Sequence, residues 1–334
     1  MAYRLAINGF GRIGRTTFRA AFEHPGVQVV AINDLTDAAT LAHLLKYDTV
    51  YGVWPHEVTA DGNELLVDGQ SIPVLSEKDP QKLPWQKLNV AVVLECTGHF
   101  TDKAGAMAHI KSGAKTVLIS APTKDEGQVP TGVLGVNKLS ITDGPVFSNA
   151  SCTTNCIAPI MEILERHLGV EQAFMTTAHA YTADQNLQDG PHKDLRRARA
   201  AAFNIVPTTT GAAKTVGVVV PSLKGKFDGL ALRVPIPVGS VSDITAYLKK
   251  DTTVDGLNDL LRREAAGQYQ NILMVEDDPV VSSDIVGRLE SSIVDSALTA
   301  VQGRLVKVVA WYDNERGYSQ RFLEQAIELA KQCA

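Results

Sequence analysis

Residues 5–15 read LAINGFGRIGR, a short apolar run followed by glycines at Gly9, Gly11 and Gly14. The run predicts a buried strand, and residues 12–22 predict a helix that stops before Pro25 and Gly26. A second apolar run, VQVVAI (27–32), ends at Asn33 and Asp34. The pattern G-x-G-x-x-G alone is a weak signal. Its place between a strand and a helix, with an acidic residue 20 positions after Gly14, makes it a dinucleotide-binding turn. Glycine lets the backbone approach a pyrophosphate, the N–H groups at the helix start stabilise its charge, and Asp34 accepts from ribose hydroxyls. A ribose phosphate there would meet a like charge costing about 4 kcal/mol at about 4 Å in an intermediate dielectric. Leu35, Thr36 and Asp37 supply no arginine to offset it, so NAD rather than NADP is expected.

Working outward, VAVVLEC (90–96), TVLIS (116–120) and VFSN (146–149) repeat the theme of continuous apolar runs separated by helical segments. Runs of that kind, without strict polar alternation, predict a doubly wound parallel sheet covered on both faces. Beyond residue 150 the strands become longer and more alternating: AFMTTA (173–178), LALRVPIP (230–237), SVSDITAYL (240–248) and LVKVVAWYDN (305–314). These predict a mixed or antiparallel sheet, and 317–333 reads as a helix able to pack back on the first domain.

The 334 residues suit two domains, with 45% hydrophobic and 21% charged residues as in ordinary globular proteins. A charge of -5, from 32 basic and 37 acidic residues, offers no basic field for nucleic acid or anionic lipid. Small molecules and other subunits are the expected partners. MAYRLAINGF lacks a cationic start with an apolar run behind it, and a cytoplasmic protein is expected. Four cysteines are too sparse for a disulfide scaffold, none forms a CxxC pair, and no metal is expected.

Residues 148–156, SNASCTTNC, wrap Cys152 in small side chains that keep its sulfur approachable. Asn149 or Ser151 can cap a helix whose apolar positions Ile157, Met161, Leu164 and Leu168 recur until Gly169, which puts Cys152 in the first turn. Pro159 predicts an irregular first turn or a kink. At a helix N-terminus beside a cation or histidine, a thiol pKa is expected to fall well below about 8.5. The base must come from elsewhere, and His179, directly after a predicted strand in TTAHAYTADQ, is the candidate, because strand ends in α/β folds face the ligand crevice. Cys156 and Cys96 read as small core residues.

NGFGRIGR, IND, ECTG, ISAP, SNASCTTNC, HAYTADQ, GPHKDLRRARAAA, TTTGAAK, ALRVP and WYDNERGYS resemble, in order and spacing over residues 2–331, the NAD-dependent phosphorylating glyceraldehyde-3-phosphate dehydrogenases. The resemblance implies a Rossmann NAD domain at 1–150 completed by a C-terminal helix at 315–334, an α+β catalytic domain at 151–314, and a homotetramer. It implies that Cys152 attacks the aldehyde of glyceraldehyde 3-phosphate while His179 takes the proton, that hydride passes to NAD, and that inorganic phosphate resolves the thioester as 1,3-bisphosphoglycerate. By the same resemblance Thr182, Asp184 and Arg233 lie near the substrate phosphate. Ser151, Thr153, Arg197, Thr210 and Gly211 hold the attacking phosphate. Arg197 shares the run DLRRAR with Arg196 and Arg199, which compete for its role. On the cofactor side the resemblance adds Arg12 and Ile13 at the pyrophosphate, Lys78 and Ser120 nearby, and Asn314 on the nicotinamide amide. Lys78 rests on SEKDP alone, and an exposed loop lysine is the alternative.

Two stretches depart from the family pattern. PIPVGSVSD follows Arg233 where many members carry threonine-proline-asparagine, and YGVWPHEV stands where an arginine is common; altered subunit contacts or loop packing are expected there. The nearest rival is erythrose-4-phosphate dehydrogenase, which tends to lack the HAYT and TTTGAAK patterns present here. A cysteine hydrolase would share the Cys and His pair but no nucleotide domain.

Overall fold

The apolar run before Gly9 becomes the strand Tyr3–Asn8, which sits in the middle of an eight-stranded sheet in a computed structural model that describes residues 2–125 and 127–333. Across that sheet the order is Val146–Ser148, Thr116–Ile119, Val92–Glu95, Tyr3–Asn8, Val27–Asn33, Gln70–Leu75, Glu64–Val67 and Val58–Asp61. The first six are parallel to one another, as continuous apolar runs require. The last three form an antiparallel meander. Its second turn, Asp68-Gly69, has positive φ at both positions, the geometry that an Asp-Gly pair favours in a two-residue hairpin. Strand order reverses at Tyr3–Asn8, whose neighbours are the next strand on one side and Val92–Glu95 on the other. In open α/β sheets this switch point is where ligands bind.

The helix Arg12–Phe22 buries Phe18 and Ala21. Trp54, from the departing stretch YGVWPHEV, is buried against Phe18 and Phe22, with the Arg19 guanidinium over its ring. An aromatic cluster is thus what the departure builds.

Polar side chains tie the carboxyl ends of three strands together. Asn33 Nδ2 donates to Asn8 Oδ1 at 2.7 Å, and Asn8 Nδ2 donates to Glu95 Oε2 at 2.6 Å. Trp85 Nε1 donates to His109 Nδ1 at 2.9 Å, so the ring proton of a neutral His109 sits on Nε2, 3.1 Å from Glu95 Oε2. Glu95 Oε1 takes the Thr97 N–H at 2.8 Å. Glu95 and His109 have no exposed side-chain surface, and each partner is what makes the other's burial tolerable.

A second sheet runs in the order Val206–Thr209, Phe227–Val234, Val170–Ala180, Ser240–Leu248, Leu305–Tyr312, Ser292–Asp295 and Leu273–Glu276. It is mixed: Val170–Ala180 is parallel to Phe227–Val234 and antiparallel to Ser240–Leu248. The helix Cys152–Leu168 packs against Ser240–Leu248, Ser292–Asp295 and Leu305–Tyr312. Pro159 lies inside this helix, which continues unbroken from Cys152, so the irregular first turn is not found.

Two compact units result. The first runs to Gly132, resumes at Lys138–Ala150 and includes the chain from Ser319 onward; the second holds Val133–Asn137 and Ser151–Tyr318. Val133–Asn137, expected in the first domain, clusters with the second because Gly135 lies against Tyr269 and Ile272 and its carbonyl accepts from Gln268 Nε2 at 2.9 Å.

Replacing His109 by Leu would leave the Trp85 N–H buried without its acceptor and take one of two donors from Glu95 Oε2, which keeps Asn8. The cost expected is about 2–4 kcal/mol of unfolding free energy, read by guanidinium denaturation. A change under about 0.5 kcal/mol, the size of an ordinary surface substitution, would show that the chain of bonds is incidental.

Candidate active site

In the first unit the glycine turn is forced by close approach. A Cβ on Gly14 would lie 2.2 Å from the Gly9 carbonyl oxygen, and one on Gly9, whose φ is +90°, would lie 2.7 Å from the Thr97 nitrogen. Gly11, by contrast, has open space and caps the helix Arg12–Phe22, which has neither a side-chain cap nor an acidic residue in its first turn. That donor set suits a pyrophosphate. Asp34 is brought to the turn: Oδ2 accepts the Phe10 N–H at 2.7 Å and Oδ1 the Thr36 N–H at 2.9 Å. Arg12 is held by an ion pair to Asp48 at 2.6 Å and stacks over Tyr51. Ile13 sits in the same first turn. Ser120 follows the strand Thr116–Ile119, with its N–H on the Glu95 carbonyl at 2.9 Å. Lys78 is exposed and makes no hydrogen bond or ion pair among the described residues. Its neighbour Glu77 is clipped to the Asn33 amide by two bonds of 2.9 and 3.0 Å.

In the second unit Ser151 caps the helix Cys152–Leu168 by accepting the Thr154 N–H at 3.1 Å. Ala150, just before it, holds a φ of +55°, a left-handed conformation that costs a non-glycine residue roughly 1–2 kcal/mol. The helix therefore starts with Cys152, whose Sγ lies 3.3 Å from His179 Nε2. His179 is near the end of the strand Val170–Ala180, and its Nδ1 is 2.7 Å from the Ala180 carbonyl. A proton on Nδ1 satisfies that carbonyl, which only accepts, and leaves the Nε2 lone pair facing the sulfur; in this tautomer Arg233 Nη1 gives its proton to the carbonyl and not to Nδ1. Arg233, the parallel neighbour of His179 in the sheet, places Nη1 2.9 Å from Nδ1 and 3.1 Å from the same carbonyl.

The electrostatics differ from the expectation of a depressed thiol pKa. Burial pushes the Cys152 thiol up, against the lowering influence of Arg233 and of the Thr153 hydroxyl and N–H. Burial, with Arg233 second, pushes His179 down to about 4. The resting pair is a thiol facing a neutral imidazole, an arrangement for general-base removal of the thiol proton. Beneath it Tyr312, unremarked in the sequence, bridges Thr153 and Thr177 at 3.0 and 2.9 Å and meets the His179 ring edge to face. Thr153 thus turns its hydroxyl inward. Cys156, buried near Ser292 and Ala310, is a core residue as expected.

Thr182 donates to Asp184, and Arg197 pairs with Asp184 while donating Nε to Thr208 at 2.9 Å. Arg196 and Arg199 are exposed, whereas Arg197 is half-buried. Burial raises the Asp184 carboxyl, but Thr182, Arg233 and Arg197 outweigh it and hold the group below the usual carboxylate range. Thr210 accepts the Ala212 N–H at 3.2 Å, and Gly211 starts the helix Ala212–Val219, again with no side-chain cap or acidic first turn. Asn314 lies just past Leu305–Tyr312, its Oδ1 taken by Gly239 N–H and the Ser240 hydroxyl.

Two family models match the chain: the glyceraldehyde 3-phosphate dehydrogenase NAD binding domain over residues 3–103 and the C-terminal domain of the same family over 151–314. Similar curated proteins include glyceraldehyde-3-phosphate dehydrogenase of Geobacillus stearothermophilus, 52% identical over 333 residues and 99% of each chain. Those of Mycobacterium avium and glyceraldehyde-3-phosphate dehydrogenase 1 of Bacillus subtilis are 54% and 51% identical, again over 99% of each chain.

His179 ionises less readily folded than unfolded, where its ordinary value is about 6.5. Below that value the unfolded chain binds more protons, so stability falls as pH drops. Between pH 7 and 5 the loss through this residue is on the order of 2 kcal/mol. His179→Asn cannot protonate and is expected to escape that loss in denaturant titrations at the two pH values; an unchanged pH dependence would refute the neutral imidazole.

Proposed function

The chain belongs to the glyceraldehyde-3-phosphate dehydrogenase family, and we propose that Cys152 and His179 carry its reaction. That reaction is the NAD-dependent oxidation and phosphorylation of D-glyceraldehyde 3-phosphate to 1,3-bisphosphoglycerate, a step of glycolysis and gluconeogenesis. The observation that carries the assignment is the 3.3 Å contact between the thiol of the first residue of a helix and an imidazole Nε2.

Nε2 of His179 takes the thiol proton as Sγ bonds to the aldehyde carbon, a transfer worth about 10² to 10⁴ in rate. The Cys152 N–H and the protonated His179 stabilise the tetrahedral oxyanion, each such donor contributing about 10² to 10³. NAD, when bound, supplies the hydride acceptor. His179 passes its proton to the oxyanion, giving the neutral thiohemiacetal, and takes it back as the thiohemiacetal becomes a thioester. Inorganic phosphate adds to the thioester carbonyl, and His179 returns a proton to the departing Cys152 sulfur.

Gly9, Gly11, Arg12, Ile13, Gly14 and Asp34 would hold the dinucleotide, with Ser120, Lys78 and Asn314 at its flanks. Thr182, Asp184 and Arg233 would serve the substrate phosphate. Arg233 Nε is buried without a partner among the described residues, which supports an anion there. The attacking phosphate would use Ser151, Thr153, Arg197, Thr210 and Gly211. Thr153 contributes through its N–H, because its hydroxyl is bonded to Tyr312. Phe174, Leu230, Tyr247 and Leu305 are exposed on one face of the second sheet, and Leu187, Leu195 and Phe203 on the loops beside it. So much exposed apolar surface supports a homotetramer. No helix among the described residues is long and apolar enough to cross a membrane, and the proposed location is the cytoplasm.

The test is NADH formation by the purified protein from glyceraldehyde 3-phosphate and NAD, with phosphate present and then omitted. Sustained turnover should require phosphate; turnover indifferent to it would point to hydrolysis of the thioester and to the erythrose-4-phosphate type. Cys152→Ala should abolish turnover and leave NAD binding within twofold, and equal loss of both would count against the nucleophile.

A further inference from the structure

The departing stretch PIPVGSVSD converges on one side chain. Gly239 has a φ of +94°, and a Cβ there would lie 2.4 Å from the Ser282 carbonyl oxygen, so only glycine fits. Its N–H points at Asn314 Oδ1, 3.2 Å away. Ser240, fully buried at the start of the strand Ser240–Leu248, accepts the Ala180 N–H at 3.1 Å and donates its single hydroxyl proton to the same Oδ1 at 2.9 Å.

These bonds leave the amide of Asn314 no choice of direction. A backbone N–H can only donate, so the atom it meets must be the oxygen, and a reversed amide would set two donors against each other. Both acceptor sites of Oδ1 are filled. The NH₂ end has no acceptor among the described residues, although Asn314 is only 5% exposed. A nearly buried amide thus keeps one outward function, as a hydrogen-bond donor.

We propose that Ser240, with the Gly239 N–H, is a positioning residue that orients Asn314 to donate to the carbonyl of the nicotinamide carboxamide. The inference rests on the reading of Asn314 as the group that faces that carboxamide. It adds what fixes the amide and which end it offers. Ser240 also binds the peptide N–H of Ala180, whose carbonyl holds His179 Nδ1, so one hydroxyl touches both the Asn314 amide and the backbone that orients the base.

Equilibrium binding of NAD and of ADP-ribose, which lacks only the nicotinamide ring, tests this without turnover. Ser240→Ala should weaken NAD about tenfold, the worth of roughly one hydrogen bond, and ADP-ribose less than twofold. Asn314→Asp keeps the inward oxygen and turns the outward donor into an acceptor. It should weaken NAD at least as much, again sparing ADP-ribose, and it decides the orientation even if Ser240→Ala fails to fold. Full NAD affinity in Asn314→Asp would overturn the assigned orientation. Full affinity in folded Ser240→Ala beside a weakened Asn314→Asp would overturn the role of Ser240 and leave the Asn314 reading intact. Equal loss of both ligands in Ser240→Ala would mark a merely structural serine. A wild-type chain that binds neither ligand would remove the dehydrogenase reading itself, and the inference with it.

Discussion

The contact between Cys152 Sγ and His179 Nε2 depends on two long elements ending at the same place, and the second unit is organised to make them do so. The strand Val170–Ala180 buries Ala173, Met175, Thr177 and His179 on one face, and its register against Phe227–Val234 and Ser240–Leu248 is set by that apolar and hydroxyl row. A slip of one residue would turn His179 to the opposite face together with every other side chain of the strand. The helix Cys152–Leu168, apolar on the side that meets the sheet, sets the depth of the sulfur. Burial then acts on both partners in the same sense, disfavouring charge on each.

The same rule governs the first unit at its strand ends. Parallel strands that finish in Asn8, Asn33 and Glu95 present polar side chains to an interior that cannot solvate them, and each is satisfied by the next. The result is a rigid platform under the glycine turn: Thr97, whose N–H is fixed by Glu95, is also the atom neighbour that forbids a side chain on Gly9. Ligand-facing geometry and core packing are one construction here.

Much of this was legible in the sequence because it is written in local periodicity. The central strands, the helix Arg12–Phe22 and the helix that starts at Cys152 follow from apolar spacing and from Ser151 as a cap. The hairpins at Asp61-Gly62 and Asp68-Gly69 carry a plain turn signal in the sequence, outside the continuous apolar runs of the parallel strands. Other features were not local at all. The direction of the Cys152 titration depends on how many distant residues cover the sulfur, a quantity no motif encodes. The contacts of Arg197, against exposed Arg196 and Arg199, depend on which way a loop faces Asp184 and Thr208. Tyr312 and Ser240 lie on strands far in sequence from the residues they support, and only the pairing of Ser240 with Tyr312 across the sheet brings them to the site.

The discontinuity of the first unit sets an order of events during synthesis. Its final piece, from Ser319 onward, supplies Phe322, Leu323, Ala326 and Leu329, all almost completely buried, and is tethered where Lys115 Nζ meets the Cys333 carbonyl at 2.8 Å and Gln332 reaches the Leu139 carbonyl and the Ile141 N–H. A ribosome adding about 5–20 residues per second makes the whole second unit between the body of the first and this last helix. The body of the first unit therefore waits on the order of ten seconds or more for the helix that completes its core. The nucleotide-binding half of the chain begins first and is finished last.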